Sequence, residues 1–99
     1  MNASISDSAW ISAGPQPVSV TNAGEAIILD PASNRYYSLD GVGELVWRLL
    51  QQPTRLPDLC EAVLAEFEVA PDEARRDVRA LVDELLEAGL VVVTEAPTT

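Results

Sequence analysis

The sequence contains no histidine and no lysine, and only one cysteine, one methionine and one phenylalanine in 99 residues. Without histidine the chain lacks the commonest general base and the commonest metal ligand. Catalysis would then fall to carboxylates, or to Cys60 without an imidazole partner. That single cysteine cannot form an intramolecular disulfide and belongs to no CxxC pair, which suits a reducing cytoplasm. No run approaches the roughly 20 apolar residues of a membrane span. The N-terminus, MNASISDSAW, has neither the basic start nor the apolar run of a signal peptide. A glycine-rich phosphate loop is missing too: DGVG at 40–43 lacks the lysine and the spacing of a P-loop, and reads as a strand-to-helix turn.

What is present is acid. Sixteen aspartates and glutamates face six arginines, giving a net charge of -10. Such a chain is repelled by phosphate backbones, which argues against general nucleic-acid binding. The length allows one domain, and a chain of this size buries roughly two-thirds of its unfolded surface, enough to fold without metal or disulfides. Glu84 and Glu87 on one helix, and Asp58, Glu61 and Glu66 on another, fall on solvent-facing positions and mark no acid–base pair.

Along the chain, residues 1–16 read as a flexible N-terminal segment in which Ile5, Trp10 and Ile11 are the bulky anchors. PVSVTNA alternates Val18 and Val20 with polar neighbours, the pattern of a half-buried strand. EAIILD and RYYSL are two further strands. PASN between them supplies the turn, with Pro31 presetting its dihedral and Asn34 tolerating a left-handed one. The pair is a hairpin. From Asp40, a good N-cap, the period becomes helical: Val42, Leu45, Val46, Leu49 and Leu50 share one face. Pro53 ends that helix, and Pro57 opens the next, whose stripe is Leu59, Cys60, Val63, Leu64 and Phe67. Cys60 inside that stripe reads as a small buried apolar residue.

A third helix opens at Pro71, with Asp72 and Glu73 complementing its dipole. Ala74, Val78, Leu81, Val82, Leu85 and Leu86 form its stripe, and Gly89 its C-cap. The run LVVV is a short terminal strand or an extended tail. Residues 17–94 are thus the folded domain and 95–99 a flexible tail. Val78, Leu81, Val82 and Leu85 exceed what one narrow seam needs, so either Val78 or Val82 is expected to face a groove. Arg75, Arg76 and Arg79 hold half of all positive charge within little more than one turn. They either pair locally with Asp72 and Asp83 or form a basic patch for an acidic ligand. Tyr36 and Tyr37 point to opposite faces of their strand. Tyr37 falls with Leu39 in the core, and Tyr36 lies on the outer face with Ser38, as cover for the sheet or as a ring awaiting a partner. A small open sheet also leaves an edge, which is either protected or used for strand addition.

The stretches EAIILDPASNRYYSLDGVGELVWRLL, LPDLCEAVLAEF and ARRDVRALVDELLEAGLV resemble the PqqD-like family, the precursor-peptide recognition elements of ribosomal peptide natural-product pathways. The likeness covers roughly residues 18–92 and is strongest to stand-alone members in lasso peptide clusters. Asp40 stands where the family usually has Asn, and Asn34 where Gly often sits; both replacements preserve the local geometry. The resemblance implies an α+β, winged helix-turn-helix-like fold, a three-stranded antiparallel sheet followed by three helices. It implies a non-catalytic adaptor without a cofactor that binds the leader of a precursor peptide by strand addition. The implied contacts are the strand Arg35, Tyr36, Tyr37, Ser38 and Leu39, and the helix residues Arg75, Asp77, Val78, Arg79, Leu81, Val82 and Leu85. The implied partners are the leader, a transglutaminase-like leader peptidase and a cyclase, with no nucleic acid or membrane. The same order of elements would also permit a winged-helix DNA-binding regulator, which the net charge disfavours.

Overall fold

The turn chemistry of PASN is realised around Asp30. Its buried carboxylate accepts from the Ala32 amide at 3.2 Å and from the Ser33 hydroxyl at 2.9 Å, while Asn34 takes a left-handed φ of 57°. A computed structural model describes residues 5–94. Its strands are β1 (Trp10–Ala13), β2 (Val18–Asn22), β3 (Glu25–Asp30), β4 (Arg35–Asp40) and β5 (Val91–Thr94). Its helices are α1 (Val42–Leu49), α2 (Leu56–Glu66) and α3 (Pro71–Glu87). The expected tail at 95–99 lies outside the described residues.

β2, β3 and β4 form an antiparallel sheet in that order. Asn22 pairs with Glu25, so Ala23 and Gly24 alone make the first turn, with φ of 54° and 81°. Two consecutive positive φ values suit the right-handed twist of a hairpin. On β3 the alternation is strict: Ala26, Ile28 and Asp30 are buried, while Ile27 and Leu29 face out. The register sets Tyr37 opposite Ile28 and Leu39 opposite Ala26, on the inner face, and Tyr36 opposite Leu29 on the outer. The tyrosines therefore divide as their spacing requires.

β2 corrects an expectation. Val18 pairs with Leu29 and Val20 with Ile27, so both valines face outward and Ser19 and Thr21 face inward. The alternation was legible, but a period of two does not say which set is buried. The outcome follows from the neighbouring strand, whose outer face is itself apolar.

The N-terminal segment is more structured than a loose lead-in. β1 pairs antiparallel with β5, and Ile11 is fully buried. Ile11 also exchanges backbone hydrogen bonds with Thr54, at 2.8 and 2.9 Å, and Ala13 donates to Leu50 at 2.7 Å. Arg55 stacks 5.0 Å from the centre of the Trp10 ring. Every partner is distant in sequence, so no local signal announces the strand.

α1 begins at Val42 with Gly41, not Asp40, as its N-cap, and no side chain caps it. Gly41 adopts φ 57° and ψ -126°, a conformation reserved in practice for glycine. α3 ends in a Schellman motif: Gly89 donates to Leu86 at 3.0 Å and Leu90 to Leu85 at 2.9 Å. The three helices enclose one core with the inner sheet face and β1, built on Ile11, Ile28, Trp47, Leu50, Leu59 and Leu90. Trp47, outside the expected α1 stripe, is among its largest members. Cys60 is only half-buried at its edge, and desolvation pushes its thiol pKa up.

Candidate functional site

Among the described residues, β4 has β3 on one side and no strand on the other, so one row of its backbone N–H and C=O groups is open along Arg35–Asp40. The edge comes with an apolar lining. Tyr37 and Leu39 pack half-buried against the core, and α1 closes on them directly. At Gly43, a Cβ would lie 3.3 Å from the Cβ of Leu39, so the absent side chain is what allows α1 to approach β4 this closely. β2 is the other free edge of the sheet, yet its inward residues are Ser19 and Thr21. A peptide added at β4 meets apolar side chains on the core side, while one added at β2 meets hydroxyls.

The α3 residues divide three ways. Val78 and Val82 are 0% exposed, and Leu85 is buried beside them. The expectation that Val78 or Val82 is left to a groove is therefore corrected: both are core, because α1 and α2 together present a wider surface than a single seam. Leu81 is half-buried at the margin. Arg75 and Arg79, one turn apart, are held by the N-terminal segment: Arg75 reaches Asp7 at 2.9 Å and Arg79 reaches the other Asp7 oxygen at 3.1 Å. Arg79 also donates to the Ile5 carbonyl at 2.8 Å. The bond to Asp7 raises the pKa of Arg75 further.

This pairing replaces both sequence readings of the arginine cluster. Arg75 and Arg79 pair neither with Asp72 nor with Asp83, and their charge is largely answered within the chain. Arg76 is in no ion pair among the described residues. At 100° per residue, Asp77, Leu81 and Glu84 run along the flank of α3 opposite Arg75 and Arg79. The open flank thus carries one large apolar residue with acidic neighbours. Asp7, which fixes one side of α3, carries no local signal in the sequence, since it lies 68 positions from Arg75.

Among the described residues no group of three or more histidine, cysteine, aspartate or glutamate side chains could hold a metal ion. No helix among the described residues is long and apolar enough to cross a membrane.

These features define a class: a mixed α+β domain, three antiparallel strands followed by three helices, with one sheet edge open beside the helical layer. Residues 25–91 match the model of the family described as coenzyme PQQ synthesis protein D (PqqD), and the chain belongs to that family. Among solved structures it is similar to TbiB1 in complex with the TbiA(beta) leader peptide. The identity is 26%, the TM-score 0.76, and the match covers 89% of this chain and 99% of that one. It is also similar to a lasso peptide synthetase B1 complexed with the leader peptide, at 26% identity and TM-score 0.73, covering 83% of this chain and 96% of that one. Among curated proteins, no sequence matches.

Proposed function

We propose that this chain is a non-catalytic adaptor that binds the leader of a ribosomally made precursor peptide by strand addition at β4. It presents that leader to a transglutaminase-like peptidase in lasso peptide biosynthesis, in the cytoplasm, ahead of a separate cyclase. The observation that carries the reading is the β4 edge itself: an open row of backbone groups, flanked by half-buried Tyr37 and Leu39, in a fold shared with two leader-bound proteins. Backbone bonds supply register-tolerant affinity, and apolar pockets supply choice. The contact set is Arg35–Leu39 on β4 together with Leu81 and Asp77 on the open flank of α3. Val78, Val82 and Leu85 support that flank from within, and Arg75 and Arg79 fix the opposite side of the helix to the N-terminal segment.

The competing DNA-binding reading gains nothing from the arginines, since two of the clustered three are paired with Asp7. A DNA binder would show a steep salt slope against random duplex, and this chain is expected to show no binding at all.

The test is a titration of labelled precursor peptide, followed by cleavage assays with and without the peptidase. The chain alone should leave the precursor intact, bind its leader in the micromolar range or tighter, and accelerate cleavage by the peptidase. Cleavage by the purified chain alone, lost in Cys60→Ala, would overturn the non-catalytic assignment.

A further inference from the structure

The N-terminal segment 5–13 crosses the molecule as a strap with an anchor at each end. At one end Ile5 is buried and its carbonyl accepts from Arg79 at 2.8 Å. The two carboxylate oxygens of Asp7 take Arg75 at 2.9 Å and Arg79 at 3.1 Å. At the other end Ile11 exchanges backbone hydrogen bonds with Thr54, and Ala13 donates to Leu50, so the strap is fixed to the segment that leaves α1. Ala9 and Ile11, both fully buried, pin it to the core between these ends. Arg79 is the firmer hold on α3. It grips the strap at two points, and its side chain is 29% exposed against 56% for Arg75.

We propose that this strap sets the distance between the two walls of the leader groove, with Arg79 as its positioning residue; the proposal rests on the adaptor reading above. The walls are β4 and the flank of α3 that carries Asp77 and Leu81. β4 rests on β3 and α1, and α3 on α2, α1 and β5, so the walls are spaced by other elements more than by each other. β4 meets α1 closely where Gly43 admits Leu39. α1 runs on to Leu50, Leu50 and Thr54 hold the strap, and the strap holds α3 through Arg79. That path closes a ring from one wall to the other. Opening it at Arg79 leaves α3 with its core contacts and the exposed Arg75–Asp7 pair. A gap of about 0.5–1 Å forfeits a quarter to a half of the dispersion attraction at a packed contact, so a small displacement of α3 loosens any side chain held against Leu81. Two residues apart on a helix, Arg79 and Leu81 point about 160° from each other. Arg79 therefore acts on the leader without touching it.

Titrations of labelled precursor peptide, on variants shown to be folded by circular dichroism, test the strap. Arg79→Leu should weaken leader binding about fivefold and Asp7→Ala about threefold, with Arg75→Gln staying within about twofold of wild type. Gly24→Ala is the control for lost stability. It strains the β2–β3 turn at φ 81°, with nothing within 4 Å of the added Cβ, and should lower the Tm without changing leader affinity. In a Leu81→Ser background Arg79→Leu should cost less than about twofold, because the wall it positions is already lost. Unchanged leader affinity in both Arg79→Leu and Asp7→Ala overturns the strap. Equal weakening in Gly24→Ala overturns it in favour of general stability, and an undiminished loss beside Leu81→Ser overturns it in favour of a separate contact. If wild type fails to bind the leader, the adaptor reading fails instead, and NMR of the unliganded chain decides the strap. Asp7→Ala should then move the Leu81 amide signal, across α3 from the substitution, and Gly24→Ala should leave it in place; an unmoved Leu81 signal in Asp7→Ala overturns the strap.

Discussion

Arg79 donates a hydrogen bond to the backbone carbonyl of Ile5 at 2.8 Å, tying the middle of α3 to a residue 74 positions earlier. Ile5 is buried, so its carbonyl has little water to turn to if the guanidinium is removed. Arg79→Leu, which keeps most of the aliphatic bulk, should cost about 1 kcal/mol. For a domain of this size that is a fall in Tm of about 4–8 °C. Arg75→Leu should cost less, since its only partner among the described residues is the exposed Asp7 carboxylate. Thermal melts at low and high salt separate the two effects: salt should weaken the Asp7 pairs and spare the carbonyl bond.

The burial of Val78 and Val82 makes a prediction opposite to the one their spacing suggested. Val78→Ser and Val82→Ser each remove core volume and leave a hydroxyl among apolar neighbours, a loss of about 2–4 kcal/mol. Leu81→Ser, at the margin, should cost less stability yet weaken leader binding more. Denaturant melts paired with peptide titrations give both numbers. Stable Val78 and Val82 variants with weakened binding would return those residues to the groove.

Ala23 sits at φ 54°, in the left-handed region that a Cβ disfavours. Because Gly24 follows it in a two-residue turn, Ala23→Asn would create the Asn-Gly pair that such turns prefer. The substitution should stabilise the domain by about 0.5–1 kcal/mol and leave leader binding unchanged. Gly41→Ala is its counterpart. Nothing lies within 4 Å of the added Cβ, so its expected cost of about 1–3 kcal/mol is backbone strain alone. A neutral Gly41→Ala melt would contradict the positive-φ geometry at the head of α1.

Cys60 offers a pH test. Desolvation is the main cause that raises its pKa, with Arg75 partly opposing it. At a given pH it therefore holds less thiolate than a free thiol, and alkylation by iodoacetamide should lag behind a model thiol, with its pH profile displaced to the alkaline side. The linkage sign follows: a folded-state thiol pKa above the unfolded value contributes stability fully present below the unfolded pKa and lost as pH rises through the folded one. Cys60→Ala should remove that alkaline sensitivity.

How legible these features were in the sequence depended on the range of the contacts behind them. The β3–β4 hairpin could be read because Pro31 and Asn34 sit between two short apolar runs, and every cause lies within a dozen residues. The helices were legible from their stripes and prolines. β1 was not, because its partners are β5 and Thr54. The β4 edge was visible in outline, since Tyr36 and Tyr37 must take opposite faces. The third helix was misread because its stripe shows which residues face inward but not how wide a surface α1 and α2 offer them. The inverted face of β2 came from the same gap: alternation gives a period, and only the neighbouring strand gives its phase.

Main-chain pairing along the β4 edge is too weak by itself to select a leader. A leader segment of about five residues paired along Arg35–Leu39 would gain two or three main-chain hydrogen bonds, each worth roughly 0.5–1.5 kcal/mol net. Their sum, at most about 4.5 kcal/mol, falls short of the roughly 8 kcal/mol of micromolar binding. Apolar side chains must supply the difference, and at about 25 cal/mol per Å² two buried ones suffice before ordering costs. In the proposed site, half-buried Tyr37, Leu39 and Leu81 would receive them. Replacing the leader's bulky apolar residues with alanine should therefore weaken binding about tenfold or more at each, and replacing its charges far less. The same logic demotes Arg75 and Arg79, whose charge Asp7 already answers. Arg75→Gln should change leader affinity and its salt dependence little. Amide-shift mapping by NMR reads the edge directly: the largest changes should fall on residues 35–39 and around Leu81. Changes centred on Val18–Asn22 would move the added strand to the opposite edge, and changes centred on α2 would exclude strand addition at this sheet.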